Sequence, residues 1–123
     1  MSKNVLLIED HQGMRENTCE MLELGGYGVL YAVNGRTGLA IAKEKRPNLI
    51  ICDIRMPDLN GYEVLQALKN DSEIANIPFL FLSAFAEKLE IEAGIKMGAK
   101  GYLVKGFEME EFLQTINNCL EVN

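Results

Sequence analysis

Short runs of apolar residues alternate with longer amphipathic stretches along the chain of 123 residues. The apolar runs lack polar alternation, which is typical of strands that are covered on both faces of a parallel sheet. The stretches between them repeat apolar residues three and four positions apart, the spacing of an amphipathic helix. This alternation predicts an α/β fold. The predicted strands are Asn4 to Glu9, Tyr27 to Val33, Asn48 to Asp53, Pro78 to Ser83 and Gly101 to Val104.

Two helical stretches are especially clear, one after the third strand and one at the end of the chain. The first begins after Asn60, which can cap its opening turn. The last is predicted to close the fold and has acidic residues in its first turn, where they suit the helix dipole. The apolar stripes are Gly61, Val64, Leu65 and Leu68 in the first, and Met109, Phe112, Ile116 and Leu120 in the second.

Glycine and proline mark the predicted helix ends. Gly25-Gly26 ends the first helix, Pro47 follows the second, and Gly98 follows the fourth as a left-handed terminator. Because parallel strands joined by helices require right-handed crossovers, few topologies remain. We predict a flavodoxin-like, doubly wound sheet of five parallel strands in the order 2-1-3-4-5, with five helices.

Composition narrows the class of protein. Hydrophobic residues make up 48% of the chain and charged residues 24%, as in ordinary globular domains, so we expect a single domain over residues 1–123. The net charge of −6, without a run of Lys or Arg, argues against direct binding to nucleic acid or to an anionic membrane. No apolar stretch is long enough for a membrane helix, and an odd number of scattered cysteines suits a reducing cytoplasm.

Acidic residues lie at or just after the ends of the first and third predicted strands. Glu9 and Asp10 follow the first strand, Asp53 ends the third, and Asp58 lies just beyond it. In the predicted order the first and third strands are neighbours, so Glu9, Asp10 and Asp53 should lie together in the crevice where such folds bind ligands. Carboxylates this close either raise a pKa or share a cation, and Mg²⁺ suits oxygen ligands at a partly open site. The alternative is three solvated loop acids.

Two further polar residues are expected at the same edge of the sheet. Ser83 ends the fourth strand and Lys105 follows the fifth. Either would be an ordinary loop residue by itself, but a hydroxyl and an ammonium group beside a metal-carboxylate cluster are what phosphoryl oxygens require.

Together these residues resemble the receiver domain of two-component response regulators. The resemblance rests on Glu9-Asp10, the segment from Asp53 to Gly61, the pair Ser83-Ala84 and Lys105, and it spans nearly the whole chain. It implies a cytoplasmic signalling domain that is not an enzyme but assists its own phosphorylation and dephosphorylation. Its partner would be a histidine kinase or a histidine phosphotransfer protein.

The resemblance also implies a role for each residue of the acidic cluster. Asp53 would be the phosphoacceptor, attacking the phosphorus of a phosphohistidine in a Mg²⁺-dependent reaction. Asp10 would bind Mg²⁺ directly, and Glu9 would act through the ion or a bound water. The backbone carbonyl of Arg55 would be a further ligand, leaving the Arg55 side chain directed to solvent. Asp58, which follows Pro57, would shape a turn instead of binding metal.

A two-state switch is implied as well. Ser83 and Lys105 would contact the phosphoryl group, and Tyr102 would rotate into the space that opens behind Ser83. The change would alter the surface of the fourth helix, fifth strand and fifth helix, through which the domain would signal to an output domain or form a homodimer. Side chains at Arg55 and Phe85 would tune the access of water.

Residue 106 departs from the family pattern. Gly106 follows Lys105, whereas the family usually has proline after a cis peptide bond that aims the lysine. A non-proline cis bond costs about 3 to 4 kcal/mol, so the sequence leaves open whether this bond is cis or trans and predicts a displaced or mobile Lys105. We also expect Gly106→Pro to order the loop and to strengthen the binding of a phosphoryl mimic.

The fourth helix has two apolar rows, more than one sheet-facing stripe requires. We expect core and border packing for them, whereas an exposed row would favour a dimer or a partner helix on that face. The rows are Leu89, Ala93 and Met97, and Ile91 and Ile95.

Three other functions fit parts of the pattern. A haloacid-dehalogenase-like phosphatase also uses a strand-end aspartate and Mg²⁺, but needs a second acid where Arg55 stands. Flavodoxin needs a hydroxyl- and glycine-rich phosphate loop after the first strand, which is absent there. A degenerate receiver that only binds proteins is disfavoured by the acidic site and mildly permitted by Gly106. His11 and Cys52 are interpreted as a solvated neighbour and a packing residue.

Overall fold

The structure is a computed structural model that describes residues 3–84 and 88–120. Strands and helices alternate along these residues, as predicted. The strands are β1 (Asn4–Ile8), β2 (Gly28–Ala32), β3 (Leu49–Asp53), β4 (Phe79–Ser83) and β5 (Gly101–Val104). The helices are α1 (Gln12–Leu24), α2 (Gly35–Lys45), α3 (Gly61–Lys69), α4 (Lys88–Lys96) and α5 (Met109–Leu120). The predicted strand limits differ from these by at most one residue at either end.

The five strands form one parallel sheet in the order β2-β1-β3-β4-β5, which confirms the predicted topology. In this register Ile8 pairs with Cys52, and Ser83 pairs with Val104. The carboxyl ends of β1, β3, β4 and β5 therefore reach the same edge of the sheet.

Apolar layers cover both faces of the sheet. Successive residues of β3 point to opposite sides, so Ile50 packs in the layer with α2 and α3, whereas Ile51 packs in the layer with α1 and α5. Both side chains are fully buried or nearly so. This two-sided burial explains why the strands read as continuous apolar runs.

The predicted helix ends are also present. The Asn60 side chain accepts a hydrogen bond from the Glu63 backbone N–H, and the Glu63 side chain accepts one from the Asn60 N–H, which together form a capping box for α3. Gly25 caps the end of α1. Gly98 has φ +108°, the left-handed conformation predicted after α4.

The core and border packing expected for α4 holds for Ile91 and Met97, which are half-buried, and is wrong for three other residues. Leu89 is 78% exposed and Ile95 47% exposed, and Ala93 is exposed as well. The residue of α4 that is buried against the sheet is Gly94, where an added Cβ would lie only 2.6 Å from Cε2 of Phe81. Because a glycine faces the sheet, the helix lies directly on the Phe81 ring.

Within the described ranges, no helix is both long and apolar enough to cross a membrane.

Candidate functional site

The strand register brings three acidic residues together. Because Ile8 pairs with Cys52, Glu9 and Asp53 follow side by side at the ends of β1 and β3. Oxygen atoms of Glu9, Asp10 and Asp53 lie within 4.8 Å of one another. Glu9 is fully buried, Asp53 is 5% exposed, and Asp10 is exposed. The prediction that these carboxylates converge is confirmed, and the alternative of three separate loop acids is wrong.

Groups from the start of α1 hold Glu9 in place. The His11 backbone N–H donates to Glu9 Oε2 at 3.2 Å, and Arg15 Nη1 donates to the Glu9 carbonyl oxygen at 3.0 Å. His11 is also the N-cap of α1, since its Nδ1 accepts from the Met14 N–H at 3.2 Å. Sequence reasoning missed both supporting residues. The position of His11 between a strand-end acid and a helical stretch was the available signal.

Lys105 reaches the carboxylates from β5. Its Nζ lies 3.2 Å from Glu9 Oε1 and 3.5 Å from Asp53 Oδ2, and its backbone N–H donates to the Ser83 carbonyl oxygen at 2.7 Å. Its side chain is 16% exposed. The predicted displacement of Lys105 is therefore wrong.

Gly106 gives the reason. Across residues 3–84 and 88–120 every peptide bond is trans, so the bond between Lys105 and Gly106 is trans, and Gly106 takes φ +98°. This left-handed conformation is open to glycine at little cost and turns the chain without a cis bond. Because proline fixes φ near −65°, Gly106→Pro could not keep this conformation, and its effect on the loop stays a prediction.

The ionised form of the buried Glu9 carboxylate is electrostatically unfavourable. Burial, and then the charge of Asp53, raise the pKa of Glu9, while the His11 amide and Lys105 act in the opposite direction. A divalent cation would relieve the repulsion among these acids. Several carboxylate oxygens at a partly open cavity fit Mg²⁺, which prefers hard oxygen ligands and keeps some of its waters.

Ser83 and Tyr102, the predicted switch residues, lie near each other at the ends of β4 and β5. Ser83 is fully buried at the end of β4, and Tyr102 of β5 is half-buried, with the Ser83 side chain near enough to lower the pKa of its hydroxyl. The Tyr102 ring lies 6.4 Å from the Phe81 ring, centroid to centroid. Burial raises the pKa of Tyr102, so its hydroxyl is neutral near pH 7 and can donate a hydrogen bond.

Two residues discussed from the sequence lie outside the cluster. Asp58 takes φ 71° in a turn closed by a hydrogen bond from the Leu59 N–H to the Pro57 carbonyl, and its carboxylate pairs with Arg36 at 3.0 Å. It shapes the turn, as predicted. Cys52 is fully buried, and this burial raises its thiol pKa well above the usual value, which makes it unreactive.

Arg55 is placed differently from the prediction. Its side chain is 54% exposed, yet Nη2 lies 2.8 Å from Oε2 of Glu90 on α4 instead of pointing only to solvent. Arg55 also lines a cavity of about 360 Å³ above the acidic cluster. Phe85, the other residue expected to tune water access, lies outside the described residues. The cavity is lined by Glu9, Asp10, His11, Met14, Asp53, Arg55, Ser83, Ala84 and Lys105.

A doubly wound parallel sheet with acids at its switch point and a lysine opposite them defines the class of protein. The sequence profile of the response regulator receiver domain matches residues 5–117, and the chain belongs to this family. It is therefore a receiver domain of two-component signalling, as the resemblance implied.

Relatives of known name agree with this assignment. The polar-differentiation response regulator DivK of Brucella anthropi is 34% identical over 120 residues, which is 98% of each chain. The solved structure of the Vibrio cholerae chemotaxis protein CheY4 is 32% identical, with a TM-score of 0.92 over 98% of this chain and 100% of that one. The non-phosphorylated HemR receiver domain of Leptospira biflexa is 29% identical, with a TM-score of 0.87 over 99% of this chain and 97% of that one.

Proposed function

We propose that Asp53 accepts a phosphoryl group from a phosphohistidine, or from a small phosphodonor, in a Mg²⁺-dependent reaction. The observation that carries this proposal is the convergence of Asp53 with Glu9, Asp10 and Lys105. A nucleophilic carboxylate thus lies beside both the ligands for a cation and an ammonium group. This is the arrangement that phosphoryl transfer requires.

Asp10, Asp53 and the backbone carbonyl of Arg55 would hold the ion, with Glu9 acting directly or through a water. When bound, Mg²⁺ neutralises charge on the phosphoryl oxygens. Glu9 is kept in position by the His11 amide and by Lys105, so the site is organised before an ion arrives. The exposure of Asp10 leaves it accessible to a hydrated ion.

In the transfer step an oxygen of Asp53 forms a bond to phosphorus while the bond from phosphorus to the histidine nitrogen breaks. The electron pair of the broken bond leaves with the imidazole. Lys105 and the Ser83 hydroxyl would stabilise the equatorial oxygens. A carboxylate nucleophile is already deprotonated, so the step needs no general base.

The phosphoryl group would then act on Ser83 and, through it, on the nearby Tyr102. A shift of Ser83 toward the phosphoryl group would change the position of Tyr102 and the surface formed by α4, β5 and α5. Leu89, Ile95 and Val104 are exposed on this surface, which supports a protein partner, an output domain or a second copy there.

The proposal extends to the setting of the domain. We place it in the cytoplasm, where the free thiols Cys19, Cys52 and Cys119 would stay reduced. Its partner is a histidine kinase or a histidine phosphotransfer protein. The chain is one receiver domain over residues 1–123, and it is a signalling domain that promotes only its own phosphorylation and dephosphorylation.

The test is mass spectrometry of the intact protein after incubation with Mg²⁺ and acetyl phosphate. We expect one added phosphoryl group in the wild type and none in Asp53→Asn. Asp58→Asn is the matched control, because Asp58 lies in the following loop and pairs with Arg36. It should be phosphorylated as the wild type is.

The remaining outcomes separate the alternatives. No adduct, together with no Mg²⁺-dependent change on adding beryllofluoride, would favour a domain that only binds proteins. Turnover of many phosphomonoesters would favour a phosphatase, which the Arg55 side chain and the family assignment do not favour.

A further inference from the structure

Glu90, in the first turn of α4, is held from two directions. Its carboxylate pairs with Arg55 in the loop after β3, at 2.8 Å between Nη2 and Oε2. Its backbone carbonyl accepts a hydrogen bond from the hydroxyl of Tyr62 on α3 at 3.0 Å. The first turn of α4 is thus attached to the segment that carries the phosphoacceptor and to the neighbouring helix.

The carboxylate of Glu90 depends on Arg55. Its side chain is 20% exposed, and Oε1 is buried without a hydrogen-bond partner among residues 3–84 and 88–120. Burial, and in addition the charge of Glu90, raise the pKa of both Tyr62 and Tyr102, so this carboxylate lies close to the switch tyrosine. A largely buried carboxylate that loses its cationic partner is strongly disfavoured.

Arg55 also faces the acidic cluster. It lines the cavity above Asp53 and a second cavity of about 420 Å³ next to α3, whose wall includes Tyr62 and Glu90. The guanidinium is half exposed and carries a long side chain, so it can move between the two cavities. A phosphoryl group on Asp53 would place a multiply charged anion within its range, and guanidinium binds such oxygens well.

We propose that Arg55 exchanges partners, leaving Glu90 for the phosphoryl group on Asp53, and that this exchange releases the first turn of α4. This inference rests on the proposed function of Asp53. In the unphosphorylated domain the ion pair holds α4 against the sheet. After the exchange the Glu90 carboxylate lacks its partner and turns toward solvent, which carries the first turn of α4 with it.

The pair therefore opposes phosphorylation, because Arg55 must leave Glu90 before it can bind the phosphoryl group. Removing the charge of Glu90 should make a phosphoryl mimic bind more tightly, but only while Arg55 is present. This dependence separates partner exchange from a general electrostatic effect of an acidic residue near the site. Glu92 provides the matched control, since it is an exposed acid of the same helix.

The experiment is a double-mutant cycle on the affinity for beryllofluoride, measured by titration calorimetry in saturating Mg²⁺. We expect Glu90→Gln to bind at least about fivefold more tightly than the wild type, the lower end of ordinary allosteric coupling. Arg55→Gln should bind beryllofluoride more weakly than the wild type. Adding Glu90→Gln to Arg55→Gln should not change the affinity further. Hydrogen exchange of α4 without beryllofluoride should be faster in Glu90→Gln and in Arg55→Gln than in Glu92→Gln.

The inference is overturned if Glu90→Gln binds beryllofluoride as Glu92→Gln does, or if it gains the same affinity with and without Arg55. It is also overturned if exchange of α4 is the same in Glu90→Gln and Glu92→Gln. A wild-type protein that takes up neither a phosphoryl group nor beryllofluoride would overturn the proposed function of Asp53 and this inference with it. If Asp53 is phosphorylated normally but the effects of Glu90→Gln and Arg55→Gln on affinity are additive, this inference is overturned and the proposed function of Asp53 stands.

Discussion

The helices α3 and α4 lie on the same face of the sheet, yet they are held there in different ways. α3 has a capping box at Asn60 and buries an apolar stripe that includes Leu65 and Leu68. α4 buries Gly94 against the sheet, exposes Leu89, and has its first turn bonded to Arg55 and Tyr62.

The two helices differ in where their stabilising interactions come from. The interactions that fix α3 come from its own residues and from the apolar core. Several of those that fix α4 come from polar groups outside the helix, and one of these groups, Arg55, lines the acidic cavity. Burial of apolar side chains is insensitive to charge at the site, whereas an ion pair can respond to it. We therefore expect α4, and not α3, to respond to a change at Asp53.

The largest expected effect compares one leucine from each helix. Leu65→Ala empties a fully buried position of α3 and should lower the free energy of unfolding by about 3 kcal/mol. Leu89→Ala removes a side chain that is 78% exposed and should change it by less than about 0.5 kcal/mol. Urea denaturation of both variants measures the difference, and equal losses would contradict the contrast between the helices.

Glycines at the sheet-facing positions give the second comparison. At Gly61 an added Cβ would lie 2.5 Å from the Asp53 carbonyl oxygen, where backbone must shift, so we expect Gly61→Ala to cost about 3 kcal/mol. At Gly94 the Cβ would meet the Phe81 ring, and α4 can move outward while alanine improves the helix by about 1 kcal/mol. Thermal denaturation should therefore show a smaller loss in Gly94→Ala, and a larger one would show that α4 is fixed.

Capping gives a smaller effect. Asn60→Ala removes the side-chain oxygen that accepts from the Glu63 backbone N–H, one of the two hydrogen bonds of the capping box of α3, and should cost about 1 kcal/mol. Hydrogen exchange should become faster in the first turn of α3. Asn60→Asp, which keeps a capping oxygen, is the control. If Asn60→Ala loosened α4 as much as α3, the two helices would not be held independently.

A change of pH should act on stability through Glu9, which belongs to neither α3 nor α4. The pKa of Glu9 is raised in the folded protein above the ordinary value of 4.5, first by burial and then by Asp53. The folded state thus holds this proton more tightly than the unfolded state. Without Mg²⁺, the stability that Glu9 contributes is fully present below pH 4.5 and is lost as the pH rises through the folded pKa.

The stability of Glu9→Gln relative to the wild type should therefore increase as the pH rises from 4.5 through the folded pKa. Urea denaturation across this range, in chelator, measures that difference, and we expect it to be the smallest of these effects. A difference that is constant over the range would show that the pKa of Glu9 is not raised.

Much of the fold and the acidic site could be predicted because their signals are local. Uninterrupted apolar runs define the five strands, and the carboxyl-end positions of Glu9, Asp53 and Ser83 follow from where those runs stop. Given parallel strands and right-handed crossovers, the order of the sheet brings these ends together. The assignment of individual site roles, and of a single domain over residues 1–123, stays a prediction.

What the sequence could not supply are contacts between distant residues and backbone angles at single positions. Nothing local pairs Arg55 with Glu90, because their contact exists only once β3, α3 and α4 are packed together. The placement of Lys105 was wrongly predicted because a proline pattern was assumed necessary, whereas Gly106 at φ +98° gives the same lysine a different route to the carboxylates. The sequence by itself thus determined the strands, their order and the acids at their ends, since these depend on hydrophobic patterning. Only the tertiary structure decided how Lys105 and α4 are held, since these depend on backbone conformation and on charges from separate elements.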